Sequence, residues 1–166
     1  LYDQSTTSMS EKPTTSIDHS NVSNENLVSA FFKNAVSLGE RPLLFHKKRG
    51  KWTGTTWSEV ADSIKRLSGA LVAAGVQPRD RVMICAENRP EWAIADLAIM
   101  AIGAIVVPAY TTNTEDDHIY IMEHSGAVVI ITSGGILGNR VALAASRVPN
   151  IRMLITMDPD TEVPDL

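Results

Sequence analysis

Apolar positions recur along this chain with two different periods, and the change from one to the other marks its elements. Trp57, Val60, Ile64, Leu67 and Leu71 recur at alternating intervals of 3 and 4, which is one face of a helix. Thr56 and Glu59 stand ahead of that face at capping-box spacing, and Gly75 and Pro78 follow it as stop signals. Upstream, Leu27–Ser37 predicts an opening helix with Leu27, Ala30, Phe31, Asn34 and Leu38 on one side and Gly39 as its end. Pro42–Lys48 and Lys51–Thr56 predict a hairpin around Arg49-Gly50.

Beyond residue 80, short apolar runs alternate with helical segments. Val82–Ala86 predicts a strand, and Glu91–Ile102 a helix with Asn88 as N-cap, Pro90 in the first turn and Glu91 at N3. That helix is apolar nearly all round, so it should be buried on most sides. Ile105–Ala109 reads as a strand. Thr114 then caps a helix whose first turn carries Glu115, Asp116 and Asp117, favourable to the helix dipole, and Gly126 ends it. Ala127–Thr132 is a strand, Ile136–Arg147 a helix and Arg152–Met157 a strand. The strands begin near 82, 105, 128 and 152, the spacing of successive βαβ units. Continuous apolar strands alternating with helices imply a parallel sheet covered on both faces, with right-handed crossovers. The expected fold is α/β: a doubly wound, mostly parallel sheet with helices on both faces, preceded by a β-hairpin.

Composition changes this picture at the two ends. Of the first 26 residues, 13 are Ser, Thr or Asn, and large apolar residues are sparse. Such a segment cannot bury enough surface to offset its ordering entropy, so 1–26 reads as a disordered leader. It has no apolar stretch of signal-peptide length. Residues 1–8 precede Met9, which leaves a vector-derived start open. Residues 158–166 read as an acidic linker or truncation point, leaving 27–157 as the α/β unit. The net charge is −4, yet residues 27–157 hold 14 basic and 11 acidic side chains. The acidity therefore belongs to the ends, and the overall balance argues against a dedicated nucleic-acid binder. The longest uncharged run, Leu97 to Thr114, has 18 residues, of which the apolar stretch Leu97 to Tyr110 falls short of the roughly 20 that a spanning helix needs. The single cysteine, Cys85, has no internal disulfide partner, which suits a reducing compartment. The expected location is cytoplasmic, with membrane-peripheral attachment as the variant.

Candidate chemistry is thin. Ser133-Gly134-Gly135-Ile136-Leu137-Gly138 lies between a strand and a helix, and Asp158 follows 20 residues after Gly138. In a dinucleotide site such glycines let the backbone approach a pyrophosphate at a helix N-terminus. The spacing here is G-G-x-x-G and falls outside the first βα unit. It reads as a glycine-rich helix start, with cofactor binding through Gly134, Gly135, Gly138 and Asp158 as the rival. His118, Glu123 and His124 invite a metal reading. However, His118 and His124 lie about 600° apart around a helix, and Asp117 and His124 about 10 Å apart along it, so surface or capping roles are expected. Cys85 sits in an apolar strand and behaves there as a small hydrophobe. Lys47, Lys48, Arg49 and Lys51 cluster at the hairpin turn beside Trp52. A solvated charged turn and an anionic membrane or phosphate partner both fit that cluster.

The run Glu87-Asn88-Arg89-Pro90-Glu91-Trp92, followed by Ala95-Asp96-Leu97-Ala98, resembles a segment of long-chain fatty-acid–CoA ligases, in the adenylate-forming, AMP-binding superfamily. Thr56-Trp57-Ser58-Glu59-Val60 resembles that superfamily's first core motif, and Met100–Pro108 its second, in which a Gly-Ala pair ends a helix and feeds a strand closing in Pro. Gly75–Val82 and Glu123–Ala127 match the family's style as well. The resemblance covers roughly residues 27–157.

The resemblance implies a parent enzyme that activates fatty acids with ATP through an acyl-adenylate and transfers them to CoA. It implies ATP, Mg and CoA as the parent's cofactors. The expected partners are the remainder of the ligase, fatty acid, a homodimer mate and a membrane surface; nucleic acid is not among them. The family's phosphate loop, Thr-Ser-Gly-Thr-Thr-Gly-x-Pro-Lys-Gly, does not occur in these 166 residues. No catalytic, cofactor-binding or metal residue is therefore assigned to this chain, no cofactor is expected for it alone, and alone it is expected to be inactive. A stand-alone dinucleotide-binding module and a non-catalytic interaction domain are the alternatives.

Overall fold

The computed structural model describes residues 26–158. Helix α1 (Leu27–Leu38) starts at Asn26, whose side chain accepts from the Ser29 amide at 2.8 Å. Strands β1 (Pro42–Lys48) and β2 (Lys51–Thr56) form an antiparallel ribbon. Its turn residues both have positive φ, Arg49 at 50° and Gly50 at 82°, the combination that matches the twist of a two-residue hairpin. Helix α2 (Trp57–Ala73) opens with the expected capping box: the Thr56 amide donates to Glu59 at 2.8 Å, and the Glu59 amide to the Thr56 hydroxyl at 3.2 Å.

The remaining elements are β3 (Arg81–Cys85), α3 (Pro90–Ala101), β4 (Ile105–Pro108), α4 (Glu115–Ser125), β5 (Ala127–Thr132), α5 (Gly135–Ala145) and β6 (Met153–Thr156). The four strands pair in parallel in the order β4-β3-β5-β6. The chain therefore steps one way from β3 to β4, then returns past β3 to β5 and on to β6. Right-handed crossovers running in opposite directions must lie on opposite faces. Accordingly, α3 packs on one face of the sheet, and α4 and α5 on the other.

Alternation along the strands feeds both layers. Val82, Ile84, Val129 and Ile131 point at α2 and α3, meeting Leu71, Ala95 and Ile99. Met83, Cys85 and Ile130 point the other way, meeting Met122, Val141 and Ala144 of α4 and α5. A third cluster sets Phe31 and Ala35 of α1 and Leu44 of β1 against Val60, Ile64 and Ala98. Helices α2 and α3 thus lie between the sheet and an outer layer of α1 and the hairpin, which is why α3 is apolar nearly all round.

Several boundaries shift by one or two residues from the sequence reading, and the start of α3 differs in its cap. Asn88 is not the N-cap of α3; Arg89 is, and its side chain makes no capping hydrogen bond. Pro90 occupies the first helical position and drives the residue before it into extended backbone, here φ −149° and ψ 158°.

Two glycines make opposite demands. Gly69 sits exposed in the middle of α2, where an added Cβ meets nothing within 4 Å. Gly126 ends α4 at φ 65°, and its Cβ would lie 2.5 Å from Nη2 of Arg81. That guanidinium is not free to move away, because it donates to the Ser125 carbonyl at 2.8 Å and the Gly126 carbonyl at 2.6 Å. Gly69→Ala should raise the free energy of unfolding by roughly 0.5–1 kcal/mol. Gly126→Ala should lower it by at least about 1–2 kcal/mol. Urea titrations of the two variants against the parent chain check both signs.

Candidate functional site

The direction of connection reverses between β3 and β5, and in open α/β sheets ligands bind at the carboxyl ends of strands flanking such a reversal. Here that position is crossed by side chains. Thr132 Oγ1 donates to the Cys85 carbonyl at 2.9 Å, and Ser133 Oγ donates to the Glu87 carboxylate. The Gly134 amide, at the start of α5, donates to Asp158 Oδ2 at 2.8 Å. Arg89 donates through Nη1 to Asp158 Oδ1 at 2.8 Å and through Nε to Glu91 at 2.9 Å. The Gly134 amide, followed by Arg89, holds the Asp158 carboxyl below its usual range, and the same carboxylates push Arg89 higher still.

This geometry answers the dinucleotide alternative. The structure does bring Gly134 and Asp158 together, across 24 residues. It brings them together as partners of each other. The carboxylate sits on the amide that a pyrophosphate would need, so the anion at this helix N-terminus is the chain's own. Gly135 carries the positive φ of the turn, 64°, and Gly138 is buried among the α5 contacts with the sheet.

The histidines separate as their spacing implies, but His118 is not on the surface. It is fully buried under β3, one turn ahead of Met122 on the same face of α4. His124 stacks on Tyr120, with ring centroids 5.4 Å apart. Among the described residues no group of three or more His, Cys, Asp or Glu could hold a metal ion. Asp117 instead completes a capping box with Thr114, at 2.9 Å and 3.2 Å.

The sequence reading missed one juxtaposition. Nε2 of His118 lies 4.0 Å from Sγ of Cys85, 33 residues away. Burial pushes the Cys85 thiol up to about 11, and the Glu87 charge adds to this. Burial also lowers His118, helped by Arg140. The pair is thus neutral thiol beside neutral imidazole, the reverse of the thiolate–imidazolium pair that nucleophilic catalysis uses. Among the described residues, Nδ1 of His118 has no hydrogen-bond partner. No spacing rule connects residues 85 and 118; only the parallel pairing of β3 with its neighbours, and α4 packing beneath them, does so.

Concavities open on the surface of the described residues. A cleft of about 660 Å³ separates the hairpin (His46, Lys47, Trp52) from Asn88, Arg89, Pro90 and Glu91. A second, of about 540 Å³, lies at the carboxyl ends of β3 and β4, lined by Glu87, Trp92 and Tyr110. A third, of about 380 Å³, is mostly apolar and runs beside Ile94, Ile131, Ile155 and Met157. No described helix is long and apolar enough to cross a membrane.

The fold is an open parallel α/β layer whose switch point is crossed by the chain's own side chains. Residues 31–165 match the sequence profile of the AMP-binding enzyme family, and the chain belongs to that family. It is 37% identical over 106 residues to the long-chain-fatty-acid–CoA ligase FadD15 of Mycobacterium tuberculosis, an alignment that covers 64% of this chain and 18% of the relative. The backbone superposes on the acetoacetyl-CoA synthetase of Streptomyces lividans with a TM-score of 0.75 at 24% identity, over 83% of this chain and 23% of that one. It superposes on a putative long-chain-fatty-acid CoA ligase of Rhodopseudomonas palustris with a TM-score of 0.72 at 20% identity, over 82% of this chain and 33% of that one. The chain spans about a fifth of the length of the curated relatives it matches.

Two measurements probe the site. Asp158 has its folded value depressed, so its contribution is present above the ordinary carboxylate range and is lost as pH falls through the folded value. Asp158→Asn should therefore lower the urea midpoint at neutral pH and converge with the parent chain in acid. His118 is also depressed, so between its folded value and the usual 6.5 the unfolded chain binds a proton that the folded chain refuses. Stability should fall as pH drops below 6.5, and His118→Leu should remove that part of the slope whatever it does to the midpoint.

Proposed function

We propose that this chain is the N-terminal part of a long-chain fatty-acid–CoA ligase. The observation that carries the reading is the 37% identity to a ligase of that substrate class over 106 residues, a stretch of sequence likeness far closer than that to the solved structures. The Glu87–Trp92 run, which prompted the same reading, lies at the carboxyl end of β3 and the start of α3.

In the whole enzyme, a fatty-acid carboxylate attacks ATP to give an acyl-adenylate and pyrophosphate. The thiol of CoA then attacks the acyl carbon and releases AMP. The glycine-rich turn spends its amide on Asp158, which supports assigning the ATP, Mg²⁺ and CoA sites to the remainder of the enzyme. No step of the reaction is routed through the residues described here. Their part is to build the first sheet layer, on which the remainder of the enzyme packs. Exposed Ile105, Tyr110 and Ile136, at 49%, 81% and 83%, are apolar groups that the remainder covers. The isolated chain accordingly self-associates and forms no adenylate. A long-chain fatty acid partitions into bilayers, so the enzyme works at a membrane surface.

The gene beyond codon 166 tests this directly. It should encode a Thr/Ser/Gly-rich loop ending in Pro-Lys-Gly, and the complete protein should release AMP in the presence of ATP, fatty acid and CoA, while the 166-residue chain releases none. A stop codon after Leu166, or AMP release by the short chain, overturns the proposal.

A further inference from the structure

The β1–β2 hairpin carries an arrangement that packing does not explain. Residues 41–58 hold five basic side chains and not one acid. Opposite residues of an antiparallel ribbon share a face, so Phe45 stands with Gly54, and Lys47 with Trp52. The alternate face, with Leu44, packs inward on the α1–α2–α3 cluster. The Phe45–Trp52 face is open to solvent at the rim of the cleft opposite Arg89 and Glu91: Phe45 is 60% exposed and Trp52 71%. Arg49 sits exposed at the tip, and Lys51 is exposed at the tip on the alternate side of the ribbon, opposite Lys48 in the register. Among the described residues, Lys47, Arg49 and Lys51 take part in no ion pair, whereas Arg89, Arg147 and Arg152 all do.

Two large rings and three unpaired cations on one projecting ribbon match the headgroup level of an anionic bilayer. Amphipathic rings settle at that interface, and each nearby cation adds attraction to acidic lipids. Nucleic acid would need a longer basic track, and the chain as a whole carries −4. We propose that this hairpin is a docking element for anionic membrane surfaces, with Phe45 and Trp52 entering the interface and Lys47, Arg49 and Lys51 engaging phosphate headgroups. The inference rests on the ligase reading only for its biological reason, the delivery of a membrane-dissolved acyl chain.

The test is flotation of the 166-residue chain with phosphatidylcholine vesicles, with or without phosphatidylglycerol. The chain should float with the phosphatidylglycerol vesicles at low salt, stay behind with phosphatidylcholine alone, and be released by high salt. The emission of Trp52, isolated by difference against Trp52→Phe, should shift to the blue on binding. Replacing Lys47, Arg49 and Lys51 together by Glu should cut binding at least about tenfold. The charge-conserving set Lys47→Arg, Arg49→Lys, Lys51→Arg should keep it. All variants should retain the parent's circular dichroism, since these side chains are exposed. Failure to float at low salt, equal flotation of the Glu variant, or binding to heparin or RNA in place of vesicles overturns the proposal. AMP release by the complete enzyme is read in a separate assay without vesicles, so loss of docking and loss of the ligase reading are told apart.

Discussion

Strand β3 must be buried on both faces, and the rest of the layer follows from that demand. It lies inside the sheet between β4 and β5, and Val82, Met83, Ile84 and Cys85 are all fully buried. Each such side chain contributes roughly 1.5–3 kcal/mol only if something apolar covers it. Alternation sends two of the four to each face, so two independent helix layers are required. The connections supply them in the only way consistent handedness permits, α3 on one face and α4 with α5 on the other. The reversal at β3 and β5 that a ligand site would exploit is thus first a packing solution.

What occupies the carboxyl ends of those strands is a closed set of polar contacts. Arg89 spans Glu91 and Asp158, Asp158 reaches the start of α5, and Ser133 reaches Glu87. Apart from Glu91 in the first turn of α3, these groups are drawn from the end of a strand or the turn after it. The arrangement ties the start of α3 to the end of β6 and to the start of α5. In a family whose members act on nucleotides, this corner is held together by the chain's own charges.

The elements were legible because each is written locally. Thr56 with Glu59 and Thr114 with its acidic first turn mark helix starts; Gly39, Gly75 and Gly126 mark ends; the apolar runs at 82–86 and 127–132 can only be buried strands. Even the crowded surroundings of α3 followed from its uniform apolarity. What was not legible depends on which strands pair. Nothing near residue 118 says that its imidazole ends beneath Cys85, since that contact exists only once α4 lies under a sheet whose order is β4-β3-β5-β6. The His118 position looked polar and was read as surface, yet its spacing of four from Met122 put it on the buried face. Nothing local says that Asp158 closes on the Gly134 amide, since its pairing with Arg89 needs contact across 69 residues.

The distribution of cations carries the same logic to the surface. Within the α/β layer, arginines act as ties. Arg81 holds the last carbonyls of α4, Arg140 donates to the Asn113 carbonyl ahead of α4 at 3.1 Å, and Arg152 reaches Asp80 at 2.9 Å. A planar fork with five donors suits such bridging of backbone and carboxylate oxygens. The hairpin uses its charges differently. Its cations are mostly lysines, which concentrate charge at the end of a flexible stem, and they stand beside two exposed rings with no acid on the same ribbon. Charge that stabilises a fold is placed next to its partner; charge left unpaired on a projecting element adds only self-repulsion to the folded chain. The hairpin bears that cost while contributing Leu44 to the core from its other face, so its inward side already accounts for its folding role. Its outward side answers to something outside the chain.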